Sequence, residues 1–365
     1  MKKTCCQSNY AIPPGETLRE TLEAIGMTQT ELAKRSGHPK KTINEIIAGK
    51  TTITADTALQ LERVLGVPAS FWNNLERNYQ ETLARLKEEE ALQRQFEWLN
   101  MFPVPALTKM GWIPKEDSPV KMLRAILNFF GVAGIEEWKA FWENPEAAYR
   151  DSEAYQSNHH AVAAWLRRGE IEAAQIETKP YSPHSFRMAL KDVRSLTIES
   201  PKVFEPEMKK LCAEGGVAIV FVPELPGTHV YGATRWLKPT KAVIQMSLRG
   251  KTDDHLWFTF FHEGGHIFLH GKGDLFIEAS DQSCGEGNGK EKEKEADRFS
   301  QKFLIPPQEY KGFVNDQKFD PITIRVFAEK LSIAPGIVVG RLQHDKIIPF
   351  NQANGLKKRF KFSDQ

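Results

Sequence analysis

The residues His262-Glu263-Gly264-Gly265-His266 set two imidazoles at positions i and i+4 with a carboxylate between them. On a helix, His262 and His266 project from one face and can reach a single metal ion. Glu263 lies about 100° round from His262, where it can polarise an attacking water without ligating the metal. The implied chemistry is metal-assisted hydrolysis, yet a catalytic zinc needs a third protein ligand. A second helical stretch, 293–306, carries an inward stripe of Ala296, Ser300, Phe303 and Leu304. Glu293 lies closer to that stripe than Glu295, so the expected ligands are His262, His266 and Glu293, with Glu295 as the alternative. Asp297, one turn after Glu293, can accept an imidazole N–H and fix its tautomer. His270 and His344 are weaker candidates for steadying an oxyanion, because such histidines are more often structural.

These groups need a buried helix and a layer to bury it. Apolar residues around the motif predict that helix, and Asp253 and Asp254 can cap its start. Upstream, the β-branched run 217–222 predicts a strand, and 230–237 with 242–248 predict a hairpin across Lys238-Pro239-Thr240. An edge strand beside the metal could hold an extended peptide through main-chain hydrogen bonds. Gly264 and Gly265 each cost a helix on the order of 1 kcal/mol relative to Ala, which predicts a less rigid metal helix. The segment 280–292, with Gly285, Gly287 and Gly289, reads as loose and polar, which leaves the third ligand poorly placed until substrate or metal arrives.

The chain has 365 residues, too long for one ordinary domain. A hydrophobic share of 41% and a charged share of 26% suit globular cores, and 49 Lys+Arg against 47 Asp+Glu confine any nucleic-acid surface to a local patch. Cys5, Cys6, Cys212 and Cys284 form no C-x-x-C pair, which argues against a disulfide framework or zinc ribbon. Cys5-Cys6 read as part of a disordered tail rather than a lipidation site. The first residues lack an apolar signal core and no stretch reaches a membrane-span length, so the expectation is a cytoplasmic protein with no membrane partner.

A local patch is found near the N-terminus. Leu18, Leu22 and Ile25 follow helical spacing and Gly26 stops that helix. Thr28 with Glu31 forms a capping box for a helix over 29–35; Ser36-Gly37-His38 make a tight turn; Pro39 starts a third helix, 40–48. This is helix-turn-helix spacing. Ile43, Ile46 and Ile47 face inward, while Lys40, Lys41 and Asn44 face out, where a recognition helix meets the major groove. Gln29, Lys34, Arg35 and Lys50 can reach phosphates. A solvated lysine face is the plain alternative, but the turn, cap and Pro-started helix agree on DNA binding.

Between the halves, 74–99 suits a long exposed helix, and Pro103, Pro105 and Pro114 break continuity near residue 100. Residues 118–200 read as short helices. Trp138, Phe141 and Trp142 are expected in a core, and His159-His160 lack a third ligand and read as structural. The basic run 357–362 reads as a solvated terminus.

Two resemblances follow. The residues 12–23, 27–33 and 42–50, extended by 53–62 and 68–75, resemble HigA-type antitoxins of the XRE helix-turn-helix class as far as about Arg85. The resemblance implies binding of double-stranded operator DNA as a homodimer, with Gln29, Lys40, Lys41 and Asn44 as contacts, and a toxin as a further candidate partner. The residues 257–270, 293–299 and 303–306 resemble the ImmA/IrrE zinc metallopeptidases over roughly 210–345, although Gly264 stands where that family usually has a large apolar residue. This implies Zn2+ as cofactor, Glu263 as general base, and a substrate that is a repressor, an antitoxin or the chain itself. The expected architecture is multidomain: an all-α helix-turn-helix domain over 1–100, an α-helical connector over 101–205, an α+β zincin-like domain over 206–350 and a basic tail over 351–365. The competing expectation is an antitoxin-like repressor whose peptidase fold is a non-catalytic metal or ligand sensor, or a toxin-binding module.

Overall fold

The structure is a computed structural model that describes residues 10–143, 153–270, 272, 275–279 and 288–362. Cys5, Cys6, Cys284, Gly285 and Gly287 lie outside the described residues. The chain divides into two compact units, one of residues up to Phe96 with Ser118–Val120, the other of Glu97–Asp117 and Lys121 onward.

The first unit is all helical: α1 (Pro14–Ala24), α2 (Gln29–Ser36), α3 (Lys40–Ile47), α4 (Ala55–Leu65) and α5 (Ala69–Gln93). Thr28 caps α2 by accepting from the Glu31 N–H at 3.1 Å. Gly37, at φ 76°, turns the chain out of α2 in the left-handed conformation, and Pro39 precedes α3. Leu18, Leu32, Ile43, Ile46, Leu61 and Trp72 are all buried in one core, which fixes α3 with its polar side outward.

The second unit starts with helices. They are α6 (Val104–Lys109), α7 (Pro119–Phe130), whose first residues cluster with the first unit, then α8 (Ile135–Trp138), α9 (Glu153–Ala174), α10 (Pro183–Ser195) and α11 (Pro201–Glu214). Trp138 and Trp142 are buried as expected, but Phe141 is 66% exposed. His160 stacks on Trp138 at 4.8 Å, a packing role rather than a ligand's.

The sheet comprises β1 (Val217–Phe221), β2 (Val230–Lys238), β3 (Lys241–Met246) and β4 (Phe276–Ala279), in the order β1-β3-β2-β4. β1 and β3 are parallel, and β2 is antiparallel to both β3 and β4. Alternation along the strands explains the layers. Val217, Ile219, Ala242, Ile244 and Met246 enter the core with α12 (Asp253–Leu269), which supplies Trp257, Phe260 and Phe261. On the other face Gln245 donates to the Trp165 carbonyl of α9 at 2.7 Å, and the Trp165 indole donates to the Val222 carbonyl at 3.0 Å. With both faces covered, β1 reads as an unbroken apolar run rather than an alternating one.

After β4 come α13 (Asn288–Leu304), α14 (Pro307–Asn315), α15 (Pro321–Lys330) and α16 (Pro335–His344). α13 begins upstream of Glu293, at the end of the stretch expected to be loose. Glu291 there lies 3.7 Å from Lys294 and 3.6 Å from Arg298, pairs one and two turns on that favour helix. The basic tail is not a solvated arm: Asp253 donates its N–H to the Lys358 carbonyl at 2.9 Å, and Phe360 donates to the Lys251 carbonyl at 2.8 Å. Lys357 bonds Asp254 at 2.6 Å and Gln343 at 2.7 Å. A strap therefore crosses the start of α12, and it takes up the Asp253 carboxylate that the sequence assigned to capping, since Lys358 N–H donates to it at 3.1 Å.

Candidate metal centre

The centre lies between α12 and α13. Residues 259–267 of α12 are buried without interruption, so His262, Glu263 and His266 are 2%, 0% and 1% exposed. Glu293 and Asp297 reach them from α13, whose approach depends on Gly265. A Cβ there would lie 3.3 Å from the Ala296 Cα and 3.1 Å from Phe299 Cδ1.

The donor atoms converge. His262 Nε2 lies 2.9 Å from His266 Nε2 and 3.0 Å from Glu293 Oε2, and His266 Nε2 lies 3.5 Å from that same oxygen. Ligand atoms about 2.0–2.1 Å from a tetrahedral zinc are about 3.3 Å apart, so this two-nitrogen, one-oxygen set suits a divalent ion of that size. His262 Nδ1–H donates to Asp297 Oδ1 at 2.9 Å, which leaves Nε2 as the ligating atom. Glu295 instead lies 3.5 Å from His270 Nε2. His270 stays beside the centre, its ring 5.1 Å from that of His266, whereas His344 is exposed and bonded to Asp345 at 2.9 Å.

Electrostatics follow from burial. Burial lowers His266 to about 4, keeping the imidazole neutral and able to ligate. Burial pushes Glu263 well above the usual carboxylate range, and the carboxylates of Glu278 and Glu293 add to that push. Glu293 shows the opposite balance: burial would raise it, but hydrogen bonds from His262 and His266 hold it well below the ordinary range. Both Glu263 oxygens lack a hydrogen-bond partner among the described residues, as a group reserved for a water or substrate would.

The sequence reading missed three features here. β4 brings Phe276 to stack on His266 at 3.9 Å and Glu278 to accept from Thr259. Gly232 makes room for Glu263, since a Cβ there would lie 2.8 Å from Oε1. The register of β2 against β4 slips between Val230 and Gly232, a bulge at Tyr231. The run 276–279 is too short to stand out, and nothing local marks Gly232 or the bulge.

In the first unit, Lys40, Lys41 and Asn44 are exposed on α3 and Gln29 is half-buried at the start of α2. Lys41 lies 3.9 Å from Glu45, a surface pair that leaves it free to move.

Comparison with known families agrees with this division. Residues 18–72 match the helix-turn-helix family, and residues 220–329 match the IrrE N-terminal-like domain of the M78 peptidases. The chain therefore joins a helix-turn-helix domain, through helices, to an IrrE-like domain of a metallopeptidase family. Over 70 residues it is 44% identical to virulence-associated protein I of Dichelobacter nodosus, a match covering 19% of this chain and 65% of that relative. Among solved structures, a HigA-family addiction module antidote protein from Coxiella burnetii is 35% identical, covering 23% of this chain and 92% of its own, at a TM-score of 0.22. Pseudomonas aeruginosa antitoxin HigA, solved with the higBA promoter, is 30% identical, covering 23% and 94%, at a TM-score of 0.22.

Proposed function

We propose that the protein is a DNA-binding transcriptional regulator whose C-terminal domain is a zinc-dependent metallo-endopeptidase. The domain cleaves a regulatory protein (a repressor, an antitoxin or the chain itself) and so relieves repression. The observation that carries this reading is the convergence of His262, His266 and Glu293 beside a buried, unpartnered Glu263. The domain boundaries of the sequence reading, cytoplasmic location and operator binding as a homodimer belong to the same proposal. No described helix is long and apolar enough to cross a membrane.

His262, His266 and Glu293 would hold the ion, which supplies Lewis acidity to the attacking water and the scissile carbonyl. Glu263 takes a proton from water and returns it to the leaving amine. Asp297 keeps the His262 ring oriented. On DNA, Lys40, Lys41 and Asn44 enter the major groove from α3, and Gln29 sits at the N-terminus of α2.

Mass spectrometry of zinc-loaded protein, alone and with products of neighbouring genes, tests the reading. Fragments with wild type and none with Glu263→Gln support it; no fragments, or equal fragments from both, refute it.

One observation favours a second reading. Glu263 is 0% exposed, as in a closed site that binds metal without admitting a peptide. In that case the domain senses metal or binds a toxin, and zinc changes operator affinity equally in wild type and Glu263→Gln.

A further inference from the structure

The two ligand imidazoles are held by different means. His262 Nδ1 has an acceptor, Asp297 Oδ1 at 2.9 Å, as ligating histidines ordinarily do. His266 Nδ1 is buried and has no hydrogen-bond partner among the described residues. Rotation of a histidine ring about Cβ–Cγ has only broad wells of its own, so a ring without an acceptor takes its orientation from what packs on it.

What packs on His266 comes from β4. The Phe276 ring lies over the imidazole with centroids 3.9 Å and planes 15° apart, closer than the roughly 4.5–7 Å of ordinary aromatic pairs. Contact across the whole face blocks the rotation that would swing Nε2 away from His262 and Glu293. Strand pairing puts the ring there: Phe276 is registered opposite Thr234 of β2, and Thr234 Oγ1 donates to the Glu263 carbonyl of α12 at 3.1 Å. Phe276 and Glu278 share the helix-facing side of β4, and Ile277 between them points to the other side. Phe276 is 3% exposed, and the Lys292 ammonium, next to Glu293 on α13, lies 5.6 Å from its ring centroid. The ring therefore lies against both helices that supply ligands. Leu or Met would fill the same space, but neither has a flat face to lay on the imidazole.

We infer that Phe276 is a positioning residue for the metal centre, holding the plane of His266 by stacking as Asp297 holds that of His262 by accepting a hydrogen bond. The two supports differ in kind. A carboxylate also makes its imidazole more basic, whereas a phenyl ring fixes orientation without adding charge. His266 is the ligand whose hold depends on β4 staying paired with β2, which ties metal affinity to the edge of the sheet. The inference rests on His262, His266 and Glu293 as the metal ligands and requires no cleavage.

Zinc affinity of the full-length protein, from competition with a chromogenic chelator, and the d–d absorption of cobalt(II)-loaded protein test it. Phe276→Leu keeps apolar bulk and should lose roughly tenfold in zinc affinity, with an altered cobalt spectrum. Phe276→Tyr keeps the flat face and should stay near wild type in both. Phe276→Met gives the reading of Phe276→Leu if the latter does not fold. Ile277→Ala loosens β4 from its opposite side and leaves the stack, so it should lower Tm while zinc affinity and spectrum stay near wild type. The inference is overturned if Phe276→Leu binds zinc as wild type does, if Phe276→Tyr loses as much, or if Ile277→Ala loses as much at equal Tm. Wild-type protein that binds neither ion refutes the metal centre itself, whereas wild type that binds both beside an unaffected Phe276→Leu refutes the stack alone.

Discussion

Gly265 of the metal helix faces Ala296 so closely that a Cβ on the glycine would stand 3.3 Å from the Ala296 Cα. The close approach lets Glu293 and Asp297, on the same helix as Ala296, both reach His262. The glycine pair that reads in sequence as a source of looseness therefore has a packing role. Gly264, its neighbour, would meet the flexible end of Leu190, 3.3 Å from Cδ2, and the Phe186 ring at an ordinary 3.8 Å.

The two glycines should respond differently to substitution. Gly264→Ala should leave zinc affinity unchanged, with helix propensity gaining up to about 1 kcal/mol. Gly265→Leu should push α13 outward, costing about 1–3 kcal/mol of stability and at least roughly tenfold in zinc affinity. Competition with a chromogenic chelator reads the affinity; equal affinities in the two variants would dismiss the spacing account.

Glu293 and Glu295 can be told apart in the same assay. Glu293→Gln should lose most zinc affinity, and Asp297→Ala about 10–100-fold, because the His262 ring loses the acceptor that orients it. Glu295→Gln, whose carboxylate lies 3.5 Å from His270 and half-exposed, should stay near wild type. A larger loss for Glu295 than for Glu293 would reverse the ligand assignment.

Lys357 is the pin of the C-terminal strap. Its ammonium is 11% exposed against an Asp254 carboxylate that is 8% exposed, so Lys357→Met strands a buried charge. The expected cost is about 3–5 kcal/mol, read by denaturant unfolding of the C-terminal unit. A change below about 1 kcal/mol would make the strap dispensable.

Asp253 gives a pH signature. Burial, with the neighbouring Asp254 charge, raises it from 3.8 to about 6, so the folded state holds this proton more tightly than the unfolded one. That stabilisation is present below about pH 4 and is lost as pH rises through 6. Asp253→Asn keeps an acceptor for the Lys358 and Asp254 N–H groups and should raise Tm at pH 7, with the gain vanishing near pH 4. A gain independent of pH would rule out ionisation as its cause.

Lys40→Ala with Lys41→Ala should weaken operator binding and make it less salt-dependent, because two cations are lost from the face that meets the DNA. Asn44→Ala should instead relax sequence preference, by about 1–3 kcal/mol at one base pair. Affinity titrations at several salt concentrations decide; an unchanged slope would move the interface off α3.

Local rules made much of this protein legible. A 3.6-residue period put His262 and His266 on one face and set Glu293 toward the core, and Thr28, Gly37 and Pro39 marked the helix-turn-helix, because caps and turns are settled within a few residues. The apolar runs likewise announced β1, β2 and β3, since strand burial writes itself into composition. Tertiary structure alone decided the remainder. Gly232 and Glu278 are partners across β2 and β4, the bulge at Tyr231 exists only through that pairing, and the strap joins Lys357 and Lys358 to Asp254 and Asp253. Each depends on contacts between residues far apart in the chain, and no local period or turn chemistry encodes which distant segment will arrive there.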